Sequence, residues 1–218
     1  MNAAPSADPA PVPVPGNAPD TGPVRHFDSG RWLAQFAGLV LVVCHRCGGR
    51  AHVVPHPGLP EVRYFSELLF QPRRLACGGC GAVAGWQPGM RGAGLVGARL
   101  GGTEDPFFHR PLWLQTRCTG RILWAYNEEH VDHLSDYVRA TLRERGGAGT
   151  TMAMFARLPR WMKLSSNRSE VLTGLETLRG LAGRSAPTDR SDAAHERGDR
   201  SRASGALHFR GGPYEDAP

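Results

Sequence analysis

Cys44-His45-Arg46-Cys47-Gly48 and Cys77-Gly78-Gly79-Cys80-Gly81 decide how this 218-residue chain folds. Each stretch is a CxxC pair followed by glycine. Two thiolates three residues apart grip one metal ion from a tight turn, and the N–H groups of that turn point at the sulfurs. The glycine after the second cysteine supplies the positive φ that the turn needs. Four soft thiolates at tetrahedral spacing select Zn²⁺. The pattern predicts one structural Zn²⁺ held by Cys44, Cys47, Cys77 and Cys80, closed to catalysis because no coordination position stays open. Two disulfides or a thioredoxin-like redox pair fit less well, since the redox motif uses one CxxC at a strand-to-helix turn.

Each pair belongs at the tip of a β-hairpin. Leu39 to Val43 is rich in β-branched residues and leads into the first turn; Ala51 to Val54 leaves it. Arg74 to Ala76 leads into the second, and Ala82 to Trp86 leaves it. Twenty-nine residues separate Cys47 from Cys77, more than the roughly 15–20 of common zinc patterns. The surplus holds an aromatic- and leucine-rich insertion at Glu61 to Phe70, which must pack beside the hairpins. The glycine-rich stretch Gly92 to Gly102 lacks the Lys-Ser/Thr end of a phosphate loop and reads as a flexible loop.

Downstream, Asp105 to Pro111 is an aromatic loop bounded by prolines. Leu112 to Cys118 and Arg121 to Ala125 flank Thr119-Gly120 as a third hairpin. Asn127 then caps a helix, with Glu128 and Glu129 in its first turn. Val131, Leu134, Val138 and Leu142 give it one apolar stripe, and it runs to about Arg145, before Gly146-Gly147. A short helix covers Thr151 to Leu158 and ends at Pro159. Arg160 to Lys163 reads as a basic linker. A last helix starts near Asn167, with Glu170 placed for a capping box and Val171, Leu175 and Leu178 on one face. Cys118 has no partner at knuckle spacing and reads as a buried structural thiol. His130 and His133 read as edge residues of the packed stripe, because Glu129-His130-Val131-Asp132-His133 does not match the i, i+4 zincin pattern. The expected fold class is α+β: zinc-ribbon β-hairpins and a third hairpin, packed by two longer C-terminal helices and one short helix, with disordered termini.

The run Asp105-Pro106-Phe107-Phe108, Pro111 to Thr116, Leu123 to Asn127, Glu129-His130, Tyr137-Val138 and Leu142 to Arg145 resembles a family of bacterial proteins. So does Leu158 to Lys163 followed by Asn167-Arg168. These are the zinc-ribbon proteins called transcription-factor-IIB type, whose role is uncharacterised. The resemblance spans roughly Asp105 to Leu178, and the two CxxC pairs agree with it. It implies a zinc-bound ribbon and no established reaction. Family members carry two adjacent cysteines where this chain has Cys118-Thr119.

Composition divides the chain. Residues 1–24 hold seven prolines and two acids without a base, a disordered leader. Residues 25–104 form the ribbon with its insertion, and 105–182 the hairpin and helices, packed with the ribbon as one core. Residues 183–218 balance six arginines against six acids without apolar periodicity and read as a disordered tail. Residues 25–182 therefore carry +8, which with −2 on the leader gives the formal charge of +6. There is no secretory h-region and no apolar run near the ~18 residues of a membrane helix, so a cytoplasmic location without a membrane partner is expected. Twenty-five of the 26 bases are arginine. Between Arg139 and Arg168 seven bases face the single acid Glu144. That density predicts weak, sequence-tolerant nucleic-acid binding through Arg139, Arg143, Arg157, Arg160, Lys163 and Arg168, with Trp161 as a stacking residue. The alternative is a zinc-stabilised protein-interaction domain that docks a protein partner, such as an acidic one, on the ribbon face or on the aromatic loop at Phe107-Phe108. No nucleophile elbow, P-loop or dinucleotide fingerprint occurs, so no enzyme is expected.

Overall fold

The computed structural model describes residues 23–145, 153–195 and 208–209. It is a mixed α+β fold. Strand β1 (Arg25–Asp28) precedes a 3₁₀ turn at Leu33–Phe36 and the four-stranded sheet of β2 (Val40–Val43), β3 (Arg50–Pro55), β4 (Arg73–Ala76) and β5 (Val83–Trp86). The order β2-β3-β4-β5 is an antiparallel meander. In a meander the first and third turns meet at one end and the second lies at the other. Both CxxC turns therefore share one end. The insertion, with its 3₁₀ turn at Phe65–Leu69, leaves from the opposite end.

A buried cation fixes that insertion. Arg73 is fully buried and has no carboxylate partner among the described residues. Its guanidinium donates to the carbonyls of Ala37 and Leu68, each at 2.8 Å, and lies 4.4 Å over the Phe107 ring. Burial pulls its pKa down to about 10. Phe107 also meets Trp86 edge-on at 5.0 Å, so this ring belongs to the core and offers no docking surface.

Residues 92–102, expected as a flexible loop, supply the turn and second strand of a hairpin, β6 (Gly89–Arg91) and β7 (Gly94–Val96), and then run back over the insertion. Gly97 lies so close to Phe70 that a Cβ there would sit 2.9 Å from the ring.

The third hairpin is β8 (Leu114–Cys118) and β9 (Arg121–Ala125). Thr119 and Gly120 turn it with φ of 50° and 71°, the mirror-image turn whose twist matches the strands. It joins the meander through β2. The Leu41 N–H donates to the Tyr126 carbonyl at 2.8 Å, the Leu41 carbonyl accepts from Trp113 N–H at 2.9 Å, and the Val43 N–H donates to the Pro111 carbonyl at 2.9 Å. One apolar core therefore runs from Phe36 through β2 and Trp113 to Leu181.

Helix α1 (Glu128–Arg139) starts at Asn127, whose side chain accepts from the His130 N–H at 2.9 Å. The same side chain donates to the carbonyls of Phe36 and Leu39, both at 2.7 Å. It thus caps the helix and staples the approach to β2. α1 ends six residues before the expected Arg145. Leu142 is exposed and lies in β10 (Leu142–Arg145), which pairs in parallel with β1. The apolar stripe stops at Val138, and β1 supplies strand hydrogen bonds that a further helical turn would lose.

α2 (Met154–Arg157) and α3 (Arg160–Lys163) are single turns on either side of Pro159; the expected linker is thus helical. α4 (Arg168–Ala182) packs on α1 and on the third hairpin. Its Gly174 permits close approach, since a Cβ there would lie 2.8 Å from Leu123 Cδ2. Asn167 does not cap α4; it donates to the Trp161 carbonyl at 3.0 Å. Glu170 instead accepts from the Thr119 N–H in the hairpin turn.

The expected disordered tail needs correction over residues 183–195. These pass over the first CxxC turn, where the Arg50 N–H donates to the Ser185 carbonyl at 3.0 Å, and bury Ala193 and Ala194 against β8. β11 (His208–Phe209) pairs with β7. The rest of that segment, and residues 1–22 of the leader, lie outside the described residues. Among the described residues no helix is long and apolar enough to cross a membrane.

Asn127 tests the joint. A residue that only caps tolerates Asp in place of Asn. Asn127→Asp here loses both donors and leaves two carbonyls unpaired, at a cost of about 2 kcal/mol or more. Urea unfolding of N127D measures it; a change within a few tenths of a kcal/mol means that the staple contributes nothing.

Candidate metal centre

The two CxxC turns are near copies. The Cys44 N–H donates to the Gly49 carbonyl at 2.7 Å and the Cys77 N–H to the Ala82 carbonyl at 2.9 Å. The Gly48 N–H returns to the Cys44 carbonyl at 3.0 Å and the Gly81 N–H to the Cys77 carbonyl at 2.9 Å. Gly48 and Gly81 hold φ of 76° and 69°, where a side chain is strained. The Arg46 N–H points at Cys44 Sγ, 3.4 Å away.

This backbone gathers the four thiols. The Sγ atoms of Cys44, Cys47, Cys77 and Cys80 all lie within 4.8 Å of one another. Cys44 and Cys80 are 3.7 Å apart, as are Cys47 and Cys77. A disulfide needs about 2.05 Å, whereas a tetrahedron with metal–sulfur bonds of about 2.3 Å has edges of about 3.8 Å. The donor set fits a tetrahedral thiophilic ion. Cys44 and Cys77 are buried, and Cys47 and Cys80 half-buried.

Ionising all four thiols would call for such an ion. Burial resists the Cys44 thiolate, but the amides of Cys47 and Arg46 and the neighbouring thiols bring it down to about 7. For Cys80 the Ala82 amide favours the thiolate, but burial and the three nearby sulfurs push it up to about 12. Like charges this close do not all form without a cation between them.

Cys118 lies apart from this group. It is buried against α4, and burial followed by the Glu170 carboxylate pushes its thiol up to about 11. Trp113 is fully buried and donates its indole N–H to the Leu181 carbonyl at 3.0 Å.

The basic segment splits in two. Arg139 pairs with Glu176 at 2.7 Å, and Arg179 of α4 pairs with both Glu176 and Asp132. Arg143 lies 4.3 Å over Tyr137 and donates to the Tyr137 carbonyl. Arg168 is half-buried and faces the Ala140 carbonyl. Lys163 donates to the Ala156 carbonyl at 3.1 Å. Arg157, Arg160 and Trp161 instead line a cavity of about 930 Å³ with Trp32, Arg99 and Trp124. The sequence carries no spacing signal that joins these six residues.

His130 is buried beneath that cavity and accepts the Tyr126 N–H on Nδ1 at 3.2 Å. Burial first, then His133 and Arg31, hold its pKa down to about 3. His133 stacks on Phe155 at 4.6 Å and is held at about 4, again chiefly by burial. Both are packed neutral rings, and neither meets the metal group. Compared with models of protein families, with curated proteins and with solved structures, the chain matches none.

Replacing Cys44, Cys47, Cys77 or Cys80 by Ser removes a bond from a centre that contributes on the order of 10 kcal/mol, as much as a whole domain's stability. Each variant is expected to lose its metal and its sheet, while Cys118→Ser keeps full metal content. Elemental analysis and circular dichroism of the five variants check this; metal lost from C118S would reassign the ligands.

A histidine held below its unfolded pKa stabilises above about 6.5, and that stability is lost as pH falls toward the folded value. By pH 5 the His130 contribution has dropped by about 2 kcal/mol. Unfolding at fixed free metal should therefore show wild type losing about 2 kcal/mol more than His130→Gln between pH 7 and pH 5. Parallel pH profiles would contradict the assignment.

Proposed function

We propose that this chain is a zinc-ribbon protein with one structural Zn²⁺, acting as a non-enzymatic binding module for an anionic partner. The observation that carries the metal reading is the four-sulfur cluster with 3.7 Å edges at the joined ends of two hairpins. A metal held by four protein thiolates keeps no position for water or substrate. Its role is to hold β2 to β5 in register, so that β2 can carry the second half of the core. The likeness to the transcription-factor-IIB-type zinc-ribbon proteins agrees with this reading and adds no reaction. With four thiolates the site carries −2, so the loaded protein is less basic than its formal charge.

Nucleic acid is the macromolecular form of the anionic partner. Arg157 and Arg160 are exposed, have no ion pair or hydrogen bond among the described residues, and flank the half-buried Trp161. Arg139 and Arg143 are committed to Glu176 and Tyr137. Two or three phosphates neutralised give a log–log salt slope of about −2 to −3 on duplex DNA, against −4 to −5 for five. Arg157→Ala and Arg160→Ala should each flatten the slope by about one unit, and Arg139→Ala should leave it unchanged. Binding no tighter than that of a charge-matched control protein would eliminate nucleic acid and leave an acidic protein surface as partner.

A further inference from the structure

The cavity beside α2 and α3 is a feature that the metal reading leaves without a role. It encloses about 930 Å³, near the top of the range for small-molecule sites, roughly 300–1,000 Å³. Its floor is apolar and belongs to the core: Leu123, Leu134, Met154 and Met162 are all buried. Trp32, Trp124 and Trp161 are half-buried in its walls. Its charged lining is one-sided. Arg99, Arg121, Arg157 and Arg160 contribute to it, and no Asp or Glu does among the described residues. Of these, Arg99, Arg157 and Arg160 are exposed and make no ion pair or hydrogen bond with a described residue. By contrast, Arg25, Arg31, Arg139 and Arg179 each pair with a carboxylate among Glu144, Glu129, Glu176 and Asp132.

We propose that this cavity binds a small organic anion: a carboxylate or phosphate head on an extended apolar body. Guanidinium forks at the rim match the oxygens of such a head. The body would lie on the leucine and methionine floor between the tryptophans. Methionine suits a site that adjusts to its ligand, because its side chain is unbranched and polarizable. Buried polar residues, Thr103 and His130, also line the cavity. His130 accepts the Tyr126 N–H on Nδ1, so its neutral ring carries the proton on Nε2 as a donor. A nucleic-acid strand fits this floor less well, since base edges need hydrogen-bond partners that leucine and methionine lack. The proposal stands apart from the nucleic-acid reading and competes with it for Arg157, Arg160 and Trp161.

The test uses the full chain loaded with metal. The probe is 11-(dansylamino)undecanoate, followed by its fluorescence and displaced by competitors. Decanoate and naphthalene-2-carboxylate distinguish an aliphatic from an aromatic body. Decanol and decylammonium keep an apolar body without the negative head. Saturable binding of one probe per chain is expected, with a carboxylate displacing it about tenfold or more better than decanol, a preference worth about 1.4 kcal/mol. Arg157→Gln combined with Arg160→Gln should bring that preference down to about twofold and weaken the carboxylate probe itself by about fivefold, while saturable binding on the apolar floor persists, since both side chains are exposed and away from that floor. Absence of saturable binding overturns the proposal. So does equal displacement by decanol, decylammonium and decanoate. Displacement by an oligothymidylate at lower concentration than either carboxylate assigns the cavity to single-stranded nucleic acid and also overturns it.

Discussion

Four sulfur atoms held within 4.8 Å of one another form the constraint on which this fold depends. As thiols they can crowd together, but as thiolates they repel. The amides of the first turn favour charge at Cys44, while burial and the neighbouring sulfurs oppose it at Cys80. A divalent cation bound here would resolve this conflict by replacing sulfur–sulfur repulsion with four bonds. Because the thiols come from two separate hairpins, the same four bonds would close a sheet that short strands alone would hold weakly.

The sheet passes that order on through β2. All four residues of β2 are buried, which requires cover on both faces. β2 also hydrogen-bonds to β3 on one side and to the backbone around Pro111, Trp113 and Tyr126 on the other. Asn127 ties the start of α1 to the turn before β2, and Trp113 ties the third hairpin to the end of α4. Thiol cluster, sheet, hairpin and helices therefore share one core. The cavity opens where that core is capped only by the single turns α2 and α3.

Local chemistry was legible in the sequence. The CxxC-Gly repeats placed both turns, Thr119-Gly120 placed the third hairpin, and Asn127 placed the start of α1. These signals act over a few residues. The misread features depend on partners distant in the chain. β10 looks like the last turn of a helix until β1, more than a hundred residues earlier, offers it a parallel edge. Residues 183–195 look structureless because their order comes from the Arg50 backbone and β8. Asn167 and Glu170 have capping-box spacing, but Trp161 and Thr119 claim their side chains. The basic segment looks uniform until Glu176 and Tyr137 remove Arg139 and Arg143 from it. For the site itself, the ligand set could be read from spacing, whereas the cavity could not, because its walls come from five separate stretches.

The most direct test of the account is X-ray absorption at the zinc edge on the purified full-length protein. The account predicts one zinc per chain with a shell of four sulfurs at about 2.3 Å and no nitrogen or oxygen neighbour. Folded protein without zinc, or a shell with nitrogen or oxygen ligands, would contradict it.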